Sequence, residues 1–124
     1  MHTVCELISF TTAADDAGLE RDDVEAITTF LAENPGAGDV MEGTGGCRKL
    51  RWAIQGRGKS GGVRIVTFFT GDTLPVFMIT VFGKGEKASL TKGERNALAK
   101  LTKQIVDCYR AKVVSVPAGK AMQS

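Results

Sequence analysis

Three features of this 124-residue chain predict an α+β domain. Residues 21–33 repeat apolar side chains at helical spacing, the period drops to two between Arg48 and Phe82, and helical spacing returns after Thr91. The implied order is β-α-α-β-β-β-α, with N-terminal helices and a C-terminal helix packed on a mainly antiparallel sheet. The chain is long enough for one hydrophobic core and too short for two.

Thr3 to Ile8 alternates and is rich in β-branched residues, which predicts a first strand. Phe10 to Asp16 reads as a short helix capped by Thr11 or Thr12 and stopped by Gly18. A second helix starts at Leu19 or Arg21 and runs to Glu33, with Val24, Ile27, Thr28 and Leu31 on one stripe. Asp22, Asp23 and Glu25 suit its N-terminal dipole end, and Asn34-Pro35-Gly36 ends it. Residues 36–47 read as an irregular glycine-rich connector.

From Arg48, the residues Leu50, Trp52 and Ile54 fall on one face and Lys49, Arg51 and Ala53 on the other. A loop over Gly56–Gly62 leads to a second strand, Val63 to Thr70, in which Arg64 shares a face with Val66 and Phe68. Val76 to Phe82 is nearly all apolar, as expected of a central strand buried on both faces. Ser89 or Thr91 caps the last helix, with Glu94 completing a capping box and Leu98, Leu101, Ile105 and Cys108 or Tyr109 as its stripe. Residues 1–112 form the expected domain. The tail, residues 113–124, is expected to add a short strand at Val113–Val116 and then fray.

Charge divides the chain. Residues 1–42 hold ten acids against the single base Arg21, and residues 43–124 hold fifteen bases against four acids. Between Gly43 and Gly71 lie Arg48, Lys49, Arg51, Arg57, Lys59 and Arg64 with no acid among them. Such a surface attracts polyanions, because each cation that neutralises a phosphate releases a counterion. No apolar run approaches the ~20 residues of a membrane span, and the N-terminus has no basic n-region. Three cysteines without C-x-x-C spacing read as reduced, buried thiols, which together with the missing signal peptide places the protein in the cytoplasm.

The lone histidine, His2, is terminal and expected to be unpositioned, which argues against a Ser-His-Asp triad, a Cys-His pair and a His-rich zinc site. Gly56-x-Gly58-x-x-Gly61 and Gly58-Lys59-Ser60 imitate nucleotide-binding motifs, but a strand follows them where a helix is required. No cofactor or metal is therefore expected. Phosphodiester chemistry on cationic groups remains: a guanidinium such as Arg64 can hold a scissile phosphate and stabilise its extra transition-state charge. A lysine among like charges has its pKa pushed down and can carry a proton. Lys84, in the turn after the apolar strand, is a further candidate, and Trp52 is expected in the core.

The string Asn34-Pro35-x-x-Gly38-Asp39-Val40, Gly43-Thr44-Gly45-Gly46-x-Arg48-Lys49-x-Arg51, Gly56-x-Gly58-Lys59-x-Gly61-Gly62-x-Arg64 resembles the HigB-like branch of the RelE/ParE superfamily of bacterial toxins. Leu74-Pro75, Thr80-Val81-Phe82-Gly83-Lys84-x-Glu86-Lys87 and Leu90-Thr91 continue the resemblance, which covers residues 3–110 and leaves out the tail. It implies a RelE-like fold and the toxin half of a type II toxin–antitoxin pair. It further implies an endoribonuclease that enters the ribosomal A site and cuts mRNA by attack of a 2′-hydroxyl on the adjacent phosphate. On this resemblance Arg57, Lys59, Arg64 and Lys84 contact or polarise the RNA, with Arg64 nearest the phosphate and Lys59, Arg64 and Lys84 as catalytic candidates. Arg48, Lys49, Arg51, Arg57, Phe82 and Lys87 are the expected RNA-binding set. The implied partner is a helix-turn-helix antitoxin, through which alone operator DNA is reached.

Many relatives carry tyrosine where this chain has Phe82, and the only tyrosine here is Tyr109. A phenolic base is thus unavailable at Phe82. Its ring can still stack on a base, and proton transfer would fall to Lys59 or Lys84. Two alternatives stay open: a non-catalytic inhibitor of the gyrase-directed ParE type, and a weakened toxin that mainly binds antitoxin as a co-repressor.

Overall fold

A computed structural model describes residues 2–54, 62–71, 74–83 and 90–114, with side chains to Tyr109. The strands are β1 (Val4–Glu6), β2 (Asp39–Val40), β3 (Cys47–Trp52), β4 (Val63–Phe68) and β5 (Val76–Gly83). The helices are α1 (Ile8–Asp16), α2 (Arg21–Glu33) and α3 (Lys92–Val114). They form one sheet in the order β1-β5-β4-β3-β2, antiparallel except for the parallel β1–β5 pair. The expected α+β order holds, with a two-residue strand added.

Each face of the sheet has its own apolar cluster. Phe10 and Ala14 of α1 and Val24, Ile27 and Leu31 of α2 pack on Ile54, Val63, Ile65, Val76, Met78 and Val81. On the opposite face Cys47, Val66, Phe68, Phe77, Ile79 and Phe82 meet Leu98 of α3, with Leu101, Ile105 and Tyr109 partly buried. Phe10, Ile27, Leu31 and Ile65 are fully buried, and each such side chain stabilises by about 1.5–3 kcal/mol. Trp52 is half-buried, edge-on to Phe30 at 5.4 Å, as expected of a core residue.

β5 changes phase midway. Val66 pairs with Thr80 and Thr67 with Met78, which leaves Ile79 as an extra residue. A one-residue slip exchanges the faces of everything beyond it. Val76 and Met78 therefore face α2, while Phe82, six residues past Val76, faces α3 beside Arg64. The Ser9 hydroxyl donates to the bulged Ile79 carbonyl at 2.5 Å, which satisfies a group the ladder leaves open.

Several boundaries depart from the sequence reading. α1 starts at Ile8, not Phe10, and Thr11 donates to Glu6 at 2.6 Å instead of capping. The connector is ordered by Thr44: its hydroxyl donates to the Met41 carbonyl at 2.7 Å and accepts the Cys47 N–H at 3.0 Å. Asp39 and Val40, read as part of the connector, pair with Lys49 and Arg48 as β2. Thr91 is the cap of α3, exchanging hydrogen bonds with Glu94 at 2.8 and 3.1 Å. Val113 and Val114 are still helical, so the strand expected at Val113–Val116 does not start there; residues 115–124 lie outside the described residues. His2 is held: its N–H donates to the Ala32 carbonyl at 2.8 Å and its ring meets Phe69 edge-on at 5.1 Å.

Candidate functional site

Strand alternation and cross-strand register build a cationic face. Cys47, Lys49 and Arg51 share one side of β3, and Arg64, Val66 and Phe68 share the same side of β4. The register pairs Lys49 with Val66 and Arg51 with Arg64, and Arg64 in turn pairs with Phe82 on β5. Leu98 and the half-buried stripe of α3 join the buried cluster of Cys47, Phe68 and Phe77 on that side. Arg51 is exposed and Lys49 and Arg64 are half-buried, standing over the buried side chains of Val66 and Phe82.

Like charges directly opposite in a sheet destabilise it by about 0.2–1 kcal/mol. The fold does not offset this with a carboxylate: among the described residues the ion pairs are Arg21–Glu25 and Lys103–Asp107, far along the chain from the arginines. Asp39, the register partner of Lys49 across β2, stands at the rim without closing an ion pair. Two guanidinium forks on strands ~4.8 Å apart instead suit one bridging anion, since each fork can grip a phosphate oxygen pair.

Two segments outside the described residues attach at the same end of the sheet. Trp52 pairs with Val63 and Val63 with Gly83, so residues 55–61 and 84–89 both attach at the end of the sheet where Arg51, Arg64 and Phe82 align. Those segments carry Arg57, Lys59, Lys84 and Lys87, which lie outside the described residues.

Two expected RNA contacts are not on this face. Arg48 points to the opposite side of β3, where its guanidinium donates to the Gly38 carbonyl at 3.2 Å and holds the turn before β2. Phe82 is 5% exposed and packed in the α3-side cluster, so its ring offers no open stacking surface. The alternation that places Lys49, Arg51 and Arg64 together is visible in the sequence. The Arg51–Arg64 register is not, because alternation fixes which face a residue takes but not which residue it meets on the neighbouring strand.

A family model described as the RelE toxin of the RelE / RelB toxin-antitoxin system matches residues 15–124. The chain belongs to the RelE toxin family. The match includes the tail, which the sequence resemblance did not cover. Among solved structures, the chain is similar to a double arginine-to-alanine mutant of E. coli toxin RelE in the free state. That likeness has 15% identity and a TM-score of 0.47, and covers 70% of this chain and 87% of that one.

The histidine and the tyrosine of the chain both stand away from the cationic face. His2 packs on Phe69, five positions past Arg64 on β4 and the segment after it, or roughly 16 Å at the rise of a strand. Tyr109 packs edge-on to Phe77 at 5.6 Å under α3. Among the described residues the cationic face therefore holds neither imidazole nor phenol. Cys47 is no substitute: burial pushes its thiol from 9.0 to about 11, against a smaller opposing effect of the Thr44 hydrogen bond, so it stays protonated. No His/Cys/Asp/Glu group among the described residues has the makings of a metal site. What this face can do is bind a phosphate and stabilise added negative charge.

Proposed function

We propose that this toxin is a HigB-like, ribosome-dependent mRNA endoribonuclease that inhibits translation in the cytoplasm. The observation carrying this reading is the acid-free row Lys49–Arg51–Arg64, with Arg51 and Arg64 in cross-strand register. Arg64, between Arg51 and the buried Phe82, takes the scissile phosphate. Arg51, Lys49, Arg57 and Lys87 track the flanking backbone. The 2′-hydroxyl of the preceding ribose attacks phosphorus and its proton goes to Lys59 or Lys84. The 5′-oxygen leaves with a proton returned from the same cationic cluster or from water, giving a 2′,3′-cyclic phosphate end. The ribosome positions the message, which suits a chain with no preassembled triad among the described residues. A helix-turn-helix antitoxin holds the toxin inactive and carries the pair to operator DNA.

Expression without the antitoxin is expected to arrest growth, and primer extension to map new mRNA ends within translated codons. Arg64→Ala should abolish both, by about 10²–10³ in rate if its guanidinium stabilises the transition state. An equally toxic Arg64→Ala chain sinks the assignment. The buried Phe82 and the distant Tyr109 favour a second reading, a slow nuclease that acts mainly as an antitoxin-binding co-repressor. Harmless overexpression of a folded chain supports that one.

A further inference from the structure

The sheet separates two helix faces of opposite charge. On one side α2 exposes Asp22, Glu25 and Glu33, and its one basic side chain, Arg21, pairs with Glu25 at 3.7 Å. On the other side, the one that carries the row Lys49–Arg51–Arg64, lies α3. Its apolar stripe of Leu98, Leu101, Ile105 and Tyr109 is turned to the sheet, and Arg95 is held by the Glu42 carbonyl at 2.7 Å. The exposed charged side chains of its described part are Lys92, Lys100, Lys103 and Asp107. At about 100° per residue, these four and the exposed Asn96 fall within an arc of about 80°. Lys92 and Lys103 stand about 16 Å apart along the axis. Asp107 pairs with Lys103 at 3.3 Å, in an exposed contact that salt and competing anions weaken.

Three lysines on one line along a rigid helix attract a polyanion, and each phosphate they neutralise releases a counterion. Among the described residues no aromatic ring lies on this arc, since Tyr109 packs on Phe77 at 5.6 Å. Single-stranded bases therefore find no stacking platform there. The apolar stripe is committed to the sheet, so α3 has no free face to bury in a lipid surface. With one side packed on the sheet, the helix cannot sink into a groove as deep as the major groove of B-DNA, about 8.5 Å. The wide, shallow minor groove of an A-form duplex, which displays 2′-hydroxyls between its phosphates, accepts such a half-covered helix. We infer that the solvent face of α3 is a second nucleic-acid surface, on which Lys92, Lys100 and Lys103 grip the phosphates of double-helical RNA. Asn96, between them, is placed to hydrogen-bond a 2′-hydroxyl. This surface is separate from the single-strand row on β3 and β4. The exposed acids of α2, on the opposite face, turn the chain so that α3 leads toward RNA. The inference rests on the exposed charge of α3 and not on the nuclease reading.

The test uses the full chain, an RNA duplex of about 16 base pairs, its DNA counterpart and one RNA strand alone. Affinity is read by fluorescence anisotropy across a KCl series. Lys92→Gln, Lys100→Gln and Lys103→Gln are combined in one variant, since all three side chains are exposed and glutamine suits a helix. Thermal melting checks that it folds. Its affinity for duplex RNA should fall about tenfold or more, and the salt slope by about two to three. Its affinity for the single strand should stay within twofold. Lys100→Gln alone, a second and milder variant, should lower the duplex slope by about one. Arg21→Gln, on α2, should leave both affinities within twofold. Unchanged duplex affinity and slope in the folded triple variant overturn the inference. So does an equal loss on the single strand, or a parent chain that prefers the DNA duplex. A parent that cuts mRNA but does not bind duplex RNA overturns this inference alone. A parent that cuts no mRNA, yet binds duplex RNA through these lysines, leaves it standing while the nuclease reading falls.

Discussion

Arg51 and Arg64 face each other across β3 and β4 as register partners on the side of the sheet that carries α3. An arrangement that costs stability and has no compensating ion pair among the described residues is expected to trade fold stability against anion binding. Arg51→Thr should therefore raise stability by about 0.5 kcal/mol, since threonine also suits a strand. The same change should weaken RNA binding and lower its salt slope by about one. Urea unfolding and filter binding across a KCl series measure the two effects. A variant that gains stability with an unchanged salt slope would remove Arg51 from the interface.

A second cross-strand pair tests the opposite face. Arg48 and Thr67 are register partners, and both Arg48 Nε and Thr67 Oγ1 are buried without a hydrogen-bond partner. A buried hydroxyl left unpaired costs about 1–3 kcal/mol. Thr67→Val keeps the β-branched shape, so it should be neutral or stabilising by up to about 1 kcal/mol in thermal or urea unfolding. Destabilisation beyond about 1 kcal/mol would mean that the hydroxyl is satisfied.

The same two faces show what the sequence can and cannot convey. Period two over residues 48–54 assigns Leu50 and Trp52 to the core and Lys49 and Arg51 to the other side, as observed. That Arg64 shares a face with Val66 and Phe68 was likewise legible. The apolar run of β5 hides its phase change, because a strand buried on both faces shows no alternation to interrupt. The placement of Phe82 toward Arg64 depends on that bulge. The position of Arg48 is hidden for a related reason: its bond to the Gly38 carbonyl depends on a turn folded back from residues 34–38. β2 was missed because two residues are too few to establish a period.

Cys47 gives a pH signature. Its thiol ionises near 9.0 in an unfolded chain and near 11 in the fold, where burial disfavours the thiolate. The protonated form is thus the folded form, and its contribution is complete below pH 9. As pH rises from 9 to 11 the unfolded state loses the proton first, and stability should fall by up to about 3 kcal/mol. The informative quantity is the difference from Cys47→Ala, in which the contributions of other groups cancel. That variant should show a shallower decline in urea midpoints between pH 9 and 11. At pH 8, Cys108 is exposed and should react with a thiol reagent in the native state, whereas Cys47 should react only on unfolding. Parallel declines in the two chains, or native reactivity at Cys47, would contradict the burial argument.

The anchorage of α3 supplies the last prediction. Gly45 has φ 79°, and a Cβ there would collide with Thr102 Oγ1 and come within 3.4 Å of the Ala99 Cα. The connector thus lies flat on the small-residue face of α3. Thr102 Oγ1 stands 3.4 Å from the Thr44 carbonyl, and Arg95 Nη1 donates to the Glu42 carbonyl at 2.7 Å. Gly45→Ala meets two separate obstacles, the left-handed backbone and the side-chain clash, and should destabilise by about 1–3 kcal/mol. Adding Thr102→Ala relieves the clash but leaves the backbone strain. The double variant should therefore recover part of the loss, with a coupling of about 0.5–2 kcal/mol in a double-mutant cycle. Because α3 joins the cluster of Cys47, Phe68 and Phe77, amides of residues 92–109 should lose hydrogen-exchange protection before those of β4 and β5. Additive losses, or uniform loss of protection across the sheet, would show that the connector does not hold the helix.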